Sequence, residues 1–366
     1  MRILIAQAKA AAKGGAEAYA AALEHVLVNH GHAVGMIDVH GHVPPGGARQ
    51  PLPFAIAGRA LWNWAQVCRA LPKCAPDYDR VILAYGEGPA LPVPSLTLRH
   101  SPALFSTDAR LLACIGARPT PLRRAYIRLC QQVAGPIARP DETTTVCNTH
   151  WTARMCDEYA GCPSDAILYP KVARPTAMAL RRRPFRVLIL GRIVPNKRIE
   201  DAIAVCDALQ RQGLPIEIEV LGRVDSRYAR RLVATLARKA HIRVTPNADR
   251  TTRARALAEA RFGLHMFRGE HFGIAVAEMI LHGVTPLVFD DGGVCELVTD
   301  PNLRFRNTRD ATDKLAALCL RPDLADQMLA TLRRGAALHA AVGFDESAMQ
   351  VLHDWLGNDQ VRHAAQ

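Results

Sequence analysis

Short apolar runs alternate with amphipathic helical stretches twice along this chain, and few architectures other than a layered α/β fold accommodate that alternation. The start reads strand, loop, helix, strand: RILIAQA, a break at Lys13-Gly14-Gly15, AEAYAAALEHVLVNHG with apolar residues at three-to-four spacing, then AVGMIDV after Gly31. Such an opening implies a parallel sheet with right-handed crossovers. ALWNWAQVCRAL and PLRRAYIRLCQQVAG read as helices, and RVILAYG, SLTLRHSP and TTTVCN as strands. AILYPKVARPTAMALRRRPF, with its prolines and arginine run, reads as a linker. The alternation then restarts with FRVLILG and IEDAIAVCDALQRQG, and continues through IEIEVLG, SRYARRLVATLARKA, IRVTP, TRARALAEA, RFGLHMF, GIAVAEMILHG and TPLVFD. The expected organisation is a first domain at 1–168, a linker at 169–184, a second domain at 185–343 and a closing helix in 344–366. That helix, FDESAMQVLHDWLG, is free to pack back across the first domain, and the tail VRHAAQ reads as frayed.

A length of 366 residues suits two domains, each with its own core. The chain is 49% hydrophobic with well-mixed charge, which excludes a disordered class. No apolar run approaches the roughly 20 residues of a membrane span, and MRILIAQAK is too soon interrupted for a signal peptide. Ten scattered cysteines without a C-x-x-C read as buried thiols in a reducing cytoplasm rather than a disulfide framework. His30-Gly-His32 and His40-Gly-His42 lack a Cys or carboxylate at ligand spacing, so no metal site is expected there.

Three stretches carry chemistry. In RGEHFGIAVAEMILHG, Glu270 precedes a helix beginning at Gly273-Ile274, and Glu278 lies within it. Backbone N–H groups at a helix start attract phosphate or sugar oxygens, and flanking carboxylates accept hydrogen bonds from hydroxyls. The bland reading makes Glu270 a helix-start charge and Glu278 part of a solvated face. In LILGRIVPNKRIEDA, a strand ends at Gly191, followed by Arg192 and Lys197; two cations there can neutralise a diphosphate, though loop cations are commonly only solvated. Gly14-Gly15 after the first strand lets a ligand approach the backbone. A second pair, Gly292-Gly293, follows a later strand with Glu296 beyond it, and Asp290-Asp291 reads as a strand-end turn.

Taken in order, KGGAEAYAAALEHVLVNHGHAV, RHSP, VCNTHWTARMCDEYAG, ILYPKV, GRIVPNK, EHFGIAVAE and GGVCELV resemble the family-4 retaining glycosyltransferases, from Met1 to about Val298. The resemblance implies a GT-B fold: α/β, with two Rossmann-like doubly wound domains facing across a cleft. It also implies a retaining transfer of a hexose from a nucleoside-diphosphate sugar to a hydroxyl acceptor. Arg192 and Lys197 would be the diphosphate pair, Glu278 the ribose ligand and Glu270 the contact to the donor sugar. The backbone of Gly191, Phe272, Gly273 and Ile274 would line sugar and phosphate, His100 would help position the reacting centre, and Gly15 would contact phosphate and acceptor. Gly222 and Thr245–Asn247 match a nucleoside pocket, against a bland reading as strand-ending turns. His271 is either a sugar or acceptor contact or a satisfied loop histidine. Same-face attack with the leaving phosphate as base needs no carboxylate dyad, and the two cations make a metal dispensable, so no metal or cofactor is expected beyond a UDP- or GDP-linked donor. EHFGI also has a likeness to GDP-mannose-dependent enzymes.

The rival readings are a nucleotide-sugar epimerase of related fold and a non-catalytic nucleotide-sugar binder. The net charge of +12 admits nucleic acid in principle. Aromatic residues are not interleaved with the cations, however, so no nucleic-acid partner is expected. The acceptor is a saccharide, a lipid-linked compound or a small molecule. Trp62 and Trp64, flanked by Arg59 and Arg69, and the helix LRRAYIRL read either as a peripheral contact with the inner face of a membrane or as ordinary amphipathic surface.

Overall fold

Residues rich in Ile, Leu and Val form strands that lie side by side in two sheets, each flanked by helices. A computed structural model describes residues 1–9, 14–52, 56, 59–114, 118–175 and 182–357. Lys13, part of the linker and the tail VRHAAQ lie outside the described residues. The chain forms two units, Met1–Lys171 together with the segment from Gly343 onward, and Val172–Val342.

The first unit runs β1 (Arg2–Ala6), α1 (Gly15–Asn29), β2 (Ala33–Asp38), β3 (Gly41–Val43), α2 (Ala60–Cys74), β4 (Arg80–Leu83) and β5 (Ser95–Arg99). It continues with α3 (Ala109–Cys114), α4 (Pro121–Ala134), β6 (Thr144–Cys147), α5 (His150–Ala160) and β7 (Ala166–Ile167). Among the described residues its sheet has seven strands in the order β3-β2-β1-β4-β5-β6-β7. All neighbours are parallel except β2 and β3. Ala166–Ile167, which reads in sequence as the start of the linker, instead pairs with Val146 and Cys147 as an edge strand. Two residues are too few to show a strand period.

The second unit runs β8 (Arg186–Leu190), α6 (Ile199–Arg211), β9 (Glu217–Gly222), α7 (Arg227–Leu236), β10 (Ile242–Pro246), α8 (Arg250–Glu259), β11 (Phe262–His265) and α9 (Ile274–His282). After these come β12 (Thr285–Phe289), α10 (Val294–Leu297), β13 (Arg304–Phe305), α11 (Thr308–Leu320), α12 (Pro322–Arg333) and α13 (Ala336–Val342). Its parallel sheet has the order β10-β9-β8-β11-β12-β13. In each sheet the sequence order reverses beside the first strand, between β1 and β4 and between β8 and β11. Loops leaving such a pair part in opposite directions and open a crevice at the strands' carboxyl ends.

The final helix, α14 (Phe344–Gly357), belongs to the first unit. Its buried residues Phe344, Ala348, Leu352 and Trp355 recur at helical spacing and join the core formed by β1 and α1. Arg80, at the start of β4, donates to the Leu356 carbonyl at 3.2 Å, and its guanidinium lies 5.3 Å from the Trp355 ring.

Burial corrects one sequence expectation. Trp64 is fully buried and donates its Nε1–H to the Glu87 carbonyl at 2.7 Å, so it is a core residue of α2 and not an interfacial one. By contrast, α4 leaves Leu122 and Leu129 exposed beside Arg123, Arg124 and Arg128. No helix among the described residues is long and apolar enough to cross a membrane. The described cysteines are thiols, and most are buried.

Candidate functional site

The second sheet's reversal point brings together four of the residues that the sequence singles out, Gly191, Arg192, Lys197 and Glu270. Strand β8 ends at Leu190, and Gly191, Arg192 and a single 3₁₀ turn, Pro195–Lys197, carry the chain away from it. Arg198 adopts a left-handed conformation that redirects the backbone into α6. On the other side of the crevice, β11 ends at His265 and a loop leads through Phe267 and Glu270 to α9. Gly191, Arg192, Lys197, His265 and Met266 line one small cavity at these strand ends.

Lys197 Nζ ion-pairs with Glu270 Oε2 across 73 residues of sequence, and the two side chains are only 20% and 15% exposed. The ammonium also lies 4.6 Å from the Phe267 ring centre, a cation–π contact in the same direction of stabilisation. His265 Nε2 meets the same Glu270 oxygen at 2.9 Å. Arg192, an exposed residue that lines the same cavity, has no acid partner among the described residues.

Two glycines shape the Glu270 side of the crevice. Gly292, at φ +105°, lies so close to Glu270 that an added Cβ would meet the Glu270 backbone oxygen at 2.4 Å. The second Gly-Gly motif is thereby explained: it lets the strap after β12 bridge to Glu270 as a parallel neighbour. Gly273, at φ +94°, caps α9 in a conformation that disfavours any side chain. Phe272 beside it is buried, and Ile274 opens the helix.

Glu278 sits in the second turn of α9 and ion-pairs with Arg253 of α8. Gly222 ends β9, and its carbonyl accepts from the Asn247 N–H at 2.9 Å. Asn247, left-handed at φ 52°, returns its Oδ1 to the Val224 N–H at 2.9 Å. The Gly222 and Thr245–Asn247 turns are therefore tied together at the ends of adjacent strands.

Electrostatics at the crevice are strongly perturbed. Burial pushes the Glu270 carboxyl up, but the Lys197 charge and the His265 hydrogen bond outweigh it and hold it well below the usual carboxylate range. Burial, reinforced by the Lys197 charge, lowers the His265 pKa against the opposing effect of Glu270. His271 is lowered by burial as well, with Lys197 adding to the effect and Glu270 opposing it. All three groups bind protons more weakly folded than unfolded, so acidification favours the unfolded chain. Their contribution to stability is full above the ordinary ranges, near pH 6.5 for His and 4.3 for Glu, and is lost as pH falls toward the folded values. The expected result is a urea-unfolding midpoint that drops between pH 7.5 and pH 5. The drop should be smaller in a His265→Gln/His271→Gln double variant, and an equal drop in both proteins would refute the assignment.

Gly15 and His100 lie in the first unit. Gly15 is the first residue of α1, capped by Gly14. His100 follows β5, with Nε2 2.9 Å from the Ala84 carbonyl and its ring edge-on to Tyr19 at 5.0 Å. Tyr19 in turn donates its hydroxyl to Leu168 O at 2.7 Å and packs edge-on against Phe344.

The loop after His100 is fastened by a residue that the sequence reading passes over. Glu87 Oε1 accepts from the Leu104 and Phe105 N–H groups at 2.7 and 2.8 Å, while Oε2 pairs with buried Arg99 at 2.5 Å. Arg253 and His265 are also absent from the sequence-derived set. Arg253 is 25 residues from its partner, and His265 sits in RFGLHMF, where a lone histidine reads as core.

Comparison with known proteins bears on the fold. Residues 177–328 match the family model described as Glycosyl transferases group 1. No curated protein sequence matches the chain. Among solved structures, the chain is similar to sucrose-phosphate synthase from Thermosynechococcus elongatus, with a TM-score of 0.70 at 14% identity over 97% of this chain and 98% of that one. It is also similar to WaaG, a glycosyltransferase involved in lipopolysaccharide biosynthesis (0.68, 13%, 95% and 99%). A third similar structure is Anabaena HepE in complex with UDP and glucose (0.63, 14%, 98% and 100%). The fold is the GT-B type, two Rossmann-like units in one chain.

Proposed function

We propose that this chain is a retaining glycosyltransferase that moves a sugar from a nucleoside-diphosphate sugar to a hydroxyl of an acceptor. The observation that carries this reading is the Lys197–Glu270 pair at the reversal point of the second sheet, with Arg192 open beside it. That crevice is where ligands of doubly wound sheets bind. It combines cations for a diphosphate with a carboxylate for sugar hydroxyls. The match of residues 177–328 to the group 1 family model supports it, as does the nucleotide bound to HepE.

In the proposed reaction the bond between the anomeric carbon and the diphosphate oxygen breaks. The acceptor oxygen bonds to that carbon on the same face, and its proton passes to the departing diphosphate. Lys197 and Arg192 stabilise the charge that grows on the leaving group, which is catalysis by preorganised electrostatics and positioning. They supply the positive charge that a divalent ion provides in other transferases. Glu270 accepts from donor-sugar hydroxyls, and Glu278 exchanges Arg253 for the ribose hydroxyls. His100 and Gly15 keep the roles that the family resemblance gives them.

A panel of UDP, GDP, ADP and dTDP sugars tests this reading. One or two members should raise the thermal midpoint, since a ligand that binds only the folded state stabilises it. Those same donors should be slowly hydrolysed to the nucleotide without an acceptor. Glu278→Ala should weaken binding of the stabilising nucleotide about tenfold, the loss of one or two charge-assisted hydrogen bonds. Epimerised donor would mark an epimerase, stabilisation without turnover would mark a binder, and no response to any nucleotide would sink the proposal.

A further inference from the structure

Glu270 is held from two directions at a single oxygen. Lys197 Nζ and His265 Nε2 both reach Oε2, and no hydrogen bond to Oε1 is made among the described residues. The two donors differ in mobility. Lys197 ends a four-carbon stem on a loop. His265 is 4% exposed and ends β11, which is paired on both sides, with β8 and with β12. Its ring is neutral near pH 7 because burial and the Lys197 charge both lower its pKa. A carboxylate only accepts, so the Nε2–H tautomer donates to it.

A diphosphate in the crevice competes with Glu270 for Lys197, because it offers more negative charge than one carboxylate. As Lys197 turns toward the phosphates, Glu270 loses its cation and keeps its direction only through a second, rigid donor. We propose that His265 is a positioning residue for the donor sugar, fixing the Glu270 carboxylate through Oε2 so that Oε1 stays available to sugar hydroxyls when Lys197 engages the diphosphate. The inference rests on the nucleotide-sugar reading above. His265 itself touches no substrate in it.

The test compares His265→Gln, His265→Asn and His265→Leu in the full chain, alone and with Glu270→Gln. A glutamine amide reaches about as far as the imidazole Nε2, an asparagine amide stops short, and leucine has no donor. With the nucleotide sugar that the unmodified protein hydrolyses, His265→Leu and His265→Asn are expected to lower kcat about 10- to 100-fold, the cost of a misdirected substrate contact. His265→Gln should stay within about threefold. Binding of the free nucleoside diphosphate, which has no sugar for Glu270 to hold, should change less than about twofold in all three. In the Glu270→Gln background, His265→Asn should cost little more, since residues acting through one contact are not additive.

Should His265→Leu fail to fold, the Gln and Asn variants carry the comparison alone. Turnover of His265→Asn equal to that of the unmodified protein would overturn the inference. So would equal losses in Gln and Asn, or a full further loss in the Glu270→Gln background. An unmodified protein that turns over no nucleotide sugar overturns the functional reading and this inference together. A donor turned over with any of the preceding three results overturns the inference alone.

Discussion

Lys197→Ala is expected to reduce turnover of the nucleotide sugar by about 10²–10³-fold, the usual cost of removing one preorganised charge from a developing anion. The ammonium is paired with Glu270 and lines the cavity at the carboxyl end of β8 together with Arg192. Removing it also leaves the Glu270 carboxylate with His265 as its one hydrogen-bond donor among the described residues, so the carboxyl loses the largest influence holding its pKa down. The variant should therefore bind the nucleoside diphosphate more weakly and unfold at a lower temperature. Lys197→Arg should recover only part of the activity, because the planar guanidinium cannot occupy the same point between Glu270 and the Phe267 ring. Steady-state kinetics with a thermal melt of each variant check this. An unchanged kcat/KM in Lys197→Ala would remove the crevice from the mechanism.

Phe344→Ala is expected to destabilise the first unit by about 3–5 kcal/mol, the range for emptying a buried aromatic site. Phe344 is fully buried at the start of α14, 5.4 Å from the Tyr19 ring and 5.8 Å from the Lys171 ammonium. The cavity would open beneath Tyr19, the residue on which His100 rests. Urea unfolding followed by a probe in the first unit measures the loss. A change under about 1 kcal/mol would show that α14 contributes little to that core, against the cost expected when a buried aromatic side chain is removed.

The sequence carries much of this architecture because parallel strands buried on both faces must be nearly all apolar. RVLIL and TPLVF stand out from their helical neighbours for that reason. The strand order is different. The letters imply it only through the resemblance to a doubly wound fold; no spacing within them says that β8 lies between β9 and β11, the placement that creates the crevice. Lys197 and Glu270 were legible as separate motifs, each read as facing a ligand; that they face each other needed the sheet. Arg253 and Glu87 were not legible at all. Each acts through a partner or a backbone segment distant in sequence, and a single charged residue in a loop or on a helix has no spacing to announce it. The region 308–342 forms three helices whose pattern the alternation of strands and helices does not include.

The position of α14 has a consequence for how the chain is divided. The polypeptide leaves the first unit after Lys171 and comes back at Gly343. Val172 donates its N–H to the Ala341 carbonyl at 3.0 Å, so the second unit begins and ends at one hydrogen bond. On the other side of the passage, Lys171 pairs with Asp345 at 2.6 Å. The second unit is thus an insert in the chain with adjoining ends, and the two ends that it leaves in the first unit also adjoin. Topologically the second unit is a cassette, and a cut or a new join at either pair of ends would have to span only a short distance.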